Sequence, residues 1–123
     1  MARFSYQDES VSEETLQEIC PLTVTQNVIA GRWKIVILWH LSQNEVIRFS
    51  ELLKKLPGIS KGILTRQLRE LEEDKLVHRE VYKVVPPKVE YSLTEQGQNF
   101  IPVLAAMQVW GKDFLNTKIE IKE

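Results

Sequence analysis

Residues 50–76, "SELLKKLPGISKGILTRQLRELEEDKL", restrict this chain more than any other stretch. Two helix-forming runs stand on either side of a Pro-Gly-Ile turn, Pro57 to Ile59. Proline lacks a backbone N–H and glycine readily takes the left-handed step that ends a helix, so the pair marks a firm stop. Ser50 offers an oxygen to cap the first run. Ser60 does the same for the second, which is expected to extend from Lys61 to about Lys75. A helix of about two turns, a short turn and a longer helix make the spacing of a helix-turn-helix.

The second helix has two unlike faces. At 3.6 residues per turn, Leu64, Leu68 and Leu71 share a narrow arc, and the opposite arc carries Gly62, Thr65, Arg66, Arg69 and then Glu73. The outer face is polar and basic first and acidic later, through Glu70, Glu72, Glu73 and Asp74. A helix that enters the major groove presents its N-terminal residues to base edges while its far end leaves the duplex, and this polarity matches. The blander reading is a solvated face with Arg66–Glu70 and Arg69–Glu73 pairs one turn apart. The "ELEED" acids read as a solvated helix face.

A ribbon directly after this helix tips the balance toward DNA. Residues 76–83 and 88–93 read as two strands; in the second, Val89, Tyr91 and Leu93 alternate with Lys88, Glu90 and Ser92. Their tip, "KVVPPK", holds Pro86 and Pro87 between Lys83 and Lys88. Such a tip has little conformational freedom to lose on a ligand, although prolines and lysines also keep a strand edge from pairing with other chains. Upstream, Pro21 suits a helix start, with Val24, Val28 and Ile29 on one face before Gly31. "RWKIVILWHL" (residues 32–41) is apolar nearly all round, as in a helix buried mid-core, and "VIRFS" (residues 46–50) is β-like. Thr94 caps the last helix, which Pro102 should kink or break in its first turns, and Val103, Met107, Trp110 and Phe114 form an apolar seam along it. The expected fold class is α+β, mainly helical: a winged helix-turn-helix with a two-stranded wing and terminal dimerisation helices.

A chain of 123 residues suits one domain. The formal net charge of −1 is unevenly spread. Residues 1–20 hold one arginine against five acids, residues 21–93 hold twelve Lys/Arg against eight Asp/Glu, and residues 94–123 hold three lysines against four acids. A basic middle points to an anionic partner, because local field steers association. The acidic start "MARFSYQDESVSEE" does not resemble a signal peptide, and no apolar run approaches a membrane span, so a cytoplasmic location without membrane contact is expected. His40 and His78 lie far apart, and no nucleophile triad, phosphate-binding glycine loop or acid–base carboxylate pair is recognisable. Neither metal nor cofactor nor enzymatic activity is expected.

The candidate partner is double-stranded DNA. Arg66 and Arg69 are able to bind guanine bidentately or clamp phosphates. Gln67 lies nearer the core arc. Ser60 and the free N–H groups at the helix start suit a phosphate, and Lys54, Lys55 and Lys61 suit further backbone contacts, which position without specifying. In the wing, Arg79, Lys83 and Lys88 suit the backbone or the adjacent minor groove. The alternative is a winged-helix module that uses these surfaces to bind protein.

Four blocks together resemble the HxlR-type family of bacterial winged-helix transcription regulators: Cys20-Pro21, "GRWK" at 31–34, "RFSELLKKLPGISKGILTRQLRELEEDKLVHREVY" at 48–82, and "VPPKVEYSLTEQG" at 85–97. The likeness spans roughly residues 20–111. It implies a homodimer joined through N- and C-terminal helices, with two recognition helices facing a pseudo-palindromic operator. The apolar seam Val103, Met107, Trp110 and Phe114 agrees with that. It also implies a division into an acidic, partly helical extension (1–19) in the dimer interface, a DNA-binding core (20–93), and a dimerisation helix with a short tail (94–123). Relatives often carry a basic residue where Gly62 stands, with Lys61 placed to substitute, and commonly a glutamine where Arg66 stands. Some members sense oxidants or electrophiles through a cysteine near Cys20, the sole cysteine, whose place at a helix start favours the thiolate. The plainer role for it is a small buried hydrophobe. An oxidant or small-molecule effector is thus a candidate partner.

Overall fold

The computed structural model describes residues 6–122, with side chains described to residue 118. Residues 1–5 of the acidic extension and the end of the tail lie outside the described residues. The rest of the extension is partly helical. Ser12 starts helix α1 (Glu13–Glu18), its hydroxyl accepting the Thr15 N–H at 3.2 Å. Pro21 opens α2 (Pro21–Val28), with Cys20 as its N-cap residue. Gly31, at φ 135°, then turns the chain into α3 (Lys34–Ser42).

The helix-turn-helix is α4 (Phe49–Lys55) followed by α5 (Lys61–Glu73). Gly58, at φ 92°, supplies the left-handed step between them. The wing is the hairpin of β2 (Val77–Tyr82) and β3 (Lys88–Leu93), and the short β1 (Ile47–Arg48) joins it to give an antiparallel sheet of order β1-β3-β2. Its register sets Arg79 opposite Tyr91 and Val77 opposite Leu93. Helices α6 (Glu95–Asn99) and α7 (Ile101–Lys122) complete the chain, separated at Phe100. Proline at the second position of α7 starts that helix afresh, so the expected break near Pro102 is present.

Leucine spacing explains the core. Ile37, Leu38 and Leu41 of α3 meet Leu52 and Leu56 from α4 and its end, Leu64, Leu68 and Leu71 of α5, Val77 and Tyr91 of the wing, and Leu104 of α7. Each fully buried leucine contributes about 2 kcal/mol. The wing base is pinned to α6. Thr94 donates its N–H to the Leu76 carbonyl at 3.0 Å and its hydroxyl to the Lys75 carbonyl. Gly97 lies so close to the Leu76 carbonyl that no Cβ fits between them.

Several local expectations need correction. Arg48, not Ser50, is the N-cap residue of α4, and Ser50 falls within the first turn. Helix α3 is not uniformly apolar in use: Val36 faces outward, while its one lysine, Lys34, is 1% exposed. The "ELEED" acids are not simply a solvated face. Glu70 Oε1 holds Lys34 Nζ at 2.8 Å, and Asp74 is 4% exposed. Nor does β3 alternate cleanly. As the central strand it buries Glu90 beside Tyr91, with Lys88 Nζ 2.9 Å from Glu90 Oε1.

Candidate nucleic-acid interface

Capping sets the orientation of α5. The Ser60 hydroxyl accepts the Ile63 N–H at 3.1 Å, which fixes where the helix begins and leaves Lys61 and Gly62 exposed at its tip. A Cβ at Gly62 would meet nothing within 4 Å, so this corner is open. Thr65 is half-buried and donates its hydroxyl to the Lys61 carbonyl at 2.8 Å. Arg66 and Arg69 are exposed, while Leu64, Gln67, Leu68 and Leu71 are buried on the other side. Neither arginine is held in an ion pair among the described residues. The lysine pair Lys54–Lys55 lies exposed in the last turn of α4, where cations also complement the helix dipole.

Gln67 is 5% exposed, so it reads no base. Its amide packs against Gly31, where any Cβ would come within 2.6 Å of Oε1. That buried Oε1 has no hydrogen-bond partner among the described residues. Gln67 and the Lys34–Glu70 pair are what sequence reasoning missed: both fix α5 against the turn into α3. The available signals were an amide next to the core arc and a lysine inside an otherwise apolar helix.

In the wing the predicted cations are unequal. Lys83 is exposed in the turn, which contains a cis Val85–Pro86 peptide, and Val85 at the tip is wholly exposed. Lys88 is engaged by Glu90 and lies 4.9 Å from the centre of the Tyr82 ring. Arg79 is exposed on β2 and lines a polar cleft shared with α5.

Away from this surface, Cys20 is exposed rather than a buried hydrophobe. The neighbouring N–H groups of Thr23 and Leu22, and then the Thr23 side chain, favour the thiolate and hold the thiol below the ordinary value of 9.0. Along α7 the seam is bare in the single chain: Val103, Met107, Trp110 and Phe114 are all exposed, Trp110 to 68%. The Trp110 and Phe114 rings stack at 5.2 Å. An apolar hollow of about 310 Å³ lies between Ile35, Val36 and Trp39 of α3 and Leu104 and Met107 of α7. Among the described residues no group of three metal-ligating side chains converges, and no helix is long and apolar enough to cross a membrane.

Comparison with known proteins agrees with this geometry. The HxlR-like helix-turn-helix family model matches residues 28–119. The uncharacterized HTH-type transcriptional regulator YdeP of Bacillus subtilis is 50% identical over 97 residues, covering 79% of this chain and 75% of that one. Among solved structures, the redox regulator HypR in its reduced form superposes with a TM-score of 0.77 at 44% identity, over 82% of this chain and 99% of that one. Its oxidised form gives 0.72 at 48% identity, over 76% and 96%.

Proposed function

This chain belongs to the HxlR-like helix-turn-helix family and is a transcriptional regulator of the helix-turn-helix type, and on that footing we propose that it binds duplex DNA sequence-specifically as a homodimer. The observation that carries the reading is the division of α5: one face is locked into the core, and the other offers Arg66 and Arg69 beside the wing. Arg66, on the outermost line of the helix, reads a base edge in the major groove, with guanine as the natural bidentate partner. Ser60, Lys61, Gly62, Lys54 and Lys55 line the backbone on one side of it. Arg79 and Lys83 reach the backbone on the other, and Lys88 serves chiefly to stiffen the hairpin.

Residues 20–93 are thus the gripping part. Residues 94–123, with the N-terminal extension, join two copies, and the exposed Val103, Met107, Trp110 and Phe114 supply the apolar surface. Cys20 makes the regulator responsive to oxidants or electrophiles. It is exposed, and its N-cap position and hydrogen-bond donors favour the thiolate, the reactive form. The similarity to HypR, a redox regulator, supports this.

Selection of bound duplexes from a random pool, followed by titration, tests the DNA reading. Arg66→Ala should weaken the selected duplex by about 1–3 kcal/mol and leave random DNA nearly unaffected. Equal losses on both would remove base reading from Arg66. No salt-sensitive binding of any duplex would end the reading altogether.

A further inference from the structure

We propose that Arg69 and Arg79 share a single DNA backbone phosphate in the cleft where the recognition helix meets the wing; this rests on the DNA-binding reading above and assigns Arg69 to the backbone rather than to a base. The cleft holds about 120 Å³ and is lined by Thr65, Leu68, Arg69, Glu72, Arg79 and Tyr91. That is room enough for a tetrahedral oxyanion.

Both elements aim their arginine inward. Thr65, Arg69 and Glu72 follow one another at i, i+4 and i+7, a single line down α5. On β2, Arg79 alternates with the strand's outward residues and shares its face with Val77, which is buried, while its cross-strand partner Tyr91 is buried too. Arg79 therefore leaves the sheet on the side that packs against α5, and the two guanidiniums reach one cleft from opposite walls. Neither has an ion-pair partner among the described residues. The Thr65 hydroxyl hydrogen is already given to the Lys61 carbonyl, so the two arginines are the cationic donors the cleft offers an anion, beside the Tyr91 phenol.

Charge narrows the ligand. Two guanidiniums face one carboxylate, Glu72, which leaves the cleft with a surplus of one positive charge. A phosphodiester carries a single negative charge and brings the cleft to neutrality; a dianionic phosphate monoester would overshoot it. Planar guanidinium forks on either side of one phosphate also fix the distance between helix and wing.

The test is a cycle in which one phosphate at a time in the selected duplex is replaced by an uncharged methylphosphonate, titrated against wild type, Arg69→Gln, Arg79→Gln and the double variant. Wild type should lose about tenfold or more in affinity at one position per half-site. Both single variants should lose less at that same position, and the double variant should be indifferent to it. Glu72→Gln should bind the unmodified duplex more tightly. If the two arginine variants lose sensitivity at different positions, or keep full sensitivity everywhere, the shared clamp is overturned while DNA binding stands. If wild type binds no duplex, both readings fall.

Discussion

Replacing one member of the Lys34–Glu70 pair at a time should give unequal costs, because the two partners are unequally buried. Lys34 is 1% exposed and Glu70 is 24% exposed, with 2.8 Å between Nζ and Oε1. Breaking a buried pair by removing one partner costs about 3–5 kcal/mol, largely the penalty of the charge left behind. Glu70→Met strands an ammonium that water barely reaches, so a cost of about 3 kcal/mol is expected, the lower end because the site opens toward solvent through Glu70. Lys34→Met instead leaves a carboxylate that already meets water, and about 1 kcal/mol or less should be lost. The double change strands neither member of the pair and should recover much of the loss. Urea unfolding followed by circular dichroism, at one fixed protein concentration because self-association adds apparent stability, reads these as midpoints. With a slope of about 1.5 kcal/mol per molar, Glu70→Met should shift the midpoint by about 2 M. Equal shifts for the two single variants, or a double variant no better than Glu70→Met, would refute the reasoning from unequal burial.

Four shorter expectations concern other parts of the molecule. Cys20 should be alkylated by iodoacetamide with a half-maximal rate at a pH below the ordinary thiol value of 9.0, and a midpoint at or above it would count against the hydrogen-bond donors of Thr23 and Leu22. Wild type should sediment as the proposed dimer and Trp110→Asp as a monomer, since the residue is 68% exposed in the single chain and stacks on Phe114. Gly97→Ala should cost about 1–3 kcal/mol in the same urea assay, because the added carbon meets the Leu76 backbone carbonyl rather than a yielding side chain. Burial, and then the charge of Lys55, hold His40 below the ordinary imidazole value of 6.5; the unfolded chain then takes up the proton more readily, so stability present above pH 6.5 should decline as pH falls through that region, and less so in His40→Gln.

What could be read from the linear chain was whatever depends on short-range periodicity. The leucines of α5, the Pro57-Gly58 stop, the Ser60 cap and the two wing strands each arise from spacing within a few residues, and all are present. Local signals failed where a distant partner decides. Nothing in the apolar run of residues 32–41 points from Lys34 to Glu70, its partner on another helix. Glu90 was expected outside because it alternates with Tyr91, but β3 is flanked on both sides by strands and Lys88 neutralises the buried carboxylate. Ser50 is a chemically good cap displaced by one that is chemically poor: with β1 ending at Arg48, the chain has already turned, and Glu51 accepts the Arg48 N–H at 3.4 Å. The cleft between Arg69 and Arg79 was invisible for the same reason, since it exists only once α5 and β2 are packed together.

The corner where Thr94 bonds the Lys75 and Leu76 carbonyls has a mechanical consequence. It ties the exit of α5, the root of the hairpin and the start of α6 into one stiff bracket, and the first articulation beyond it is at Phe100. In the homodimer proposed above, with copies joined along α7, the recognition helix and wing would therefore swing together as one arm. A signal that alters the joint between copies changes the span between two arms and leaves the grip within each arm intact.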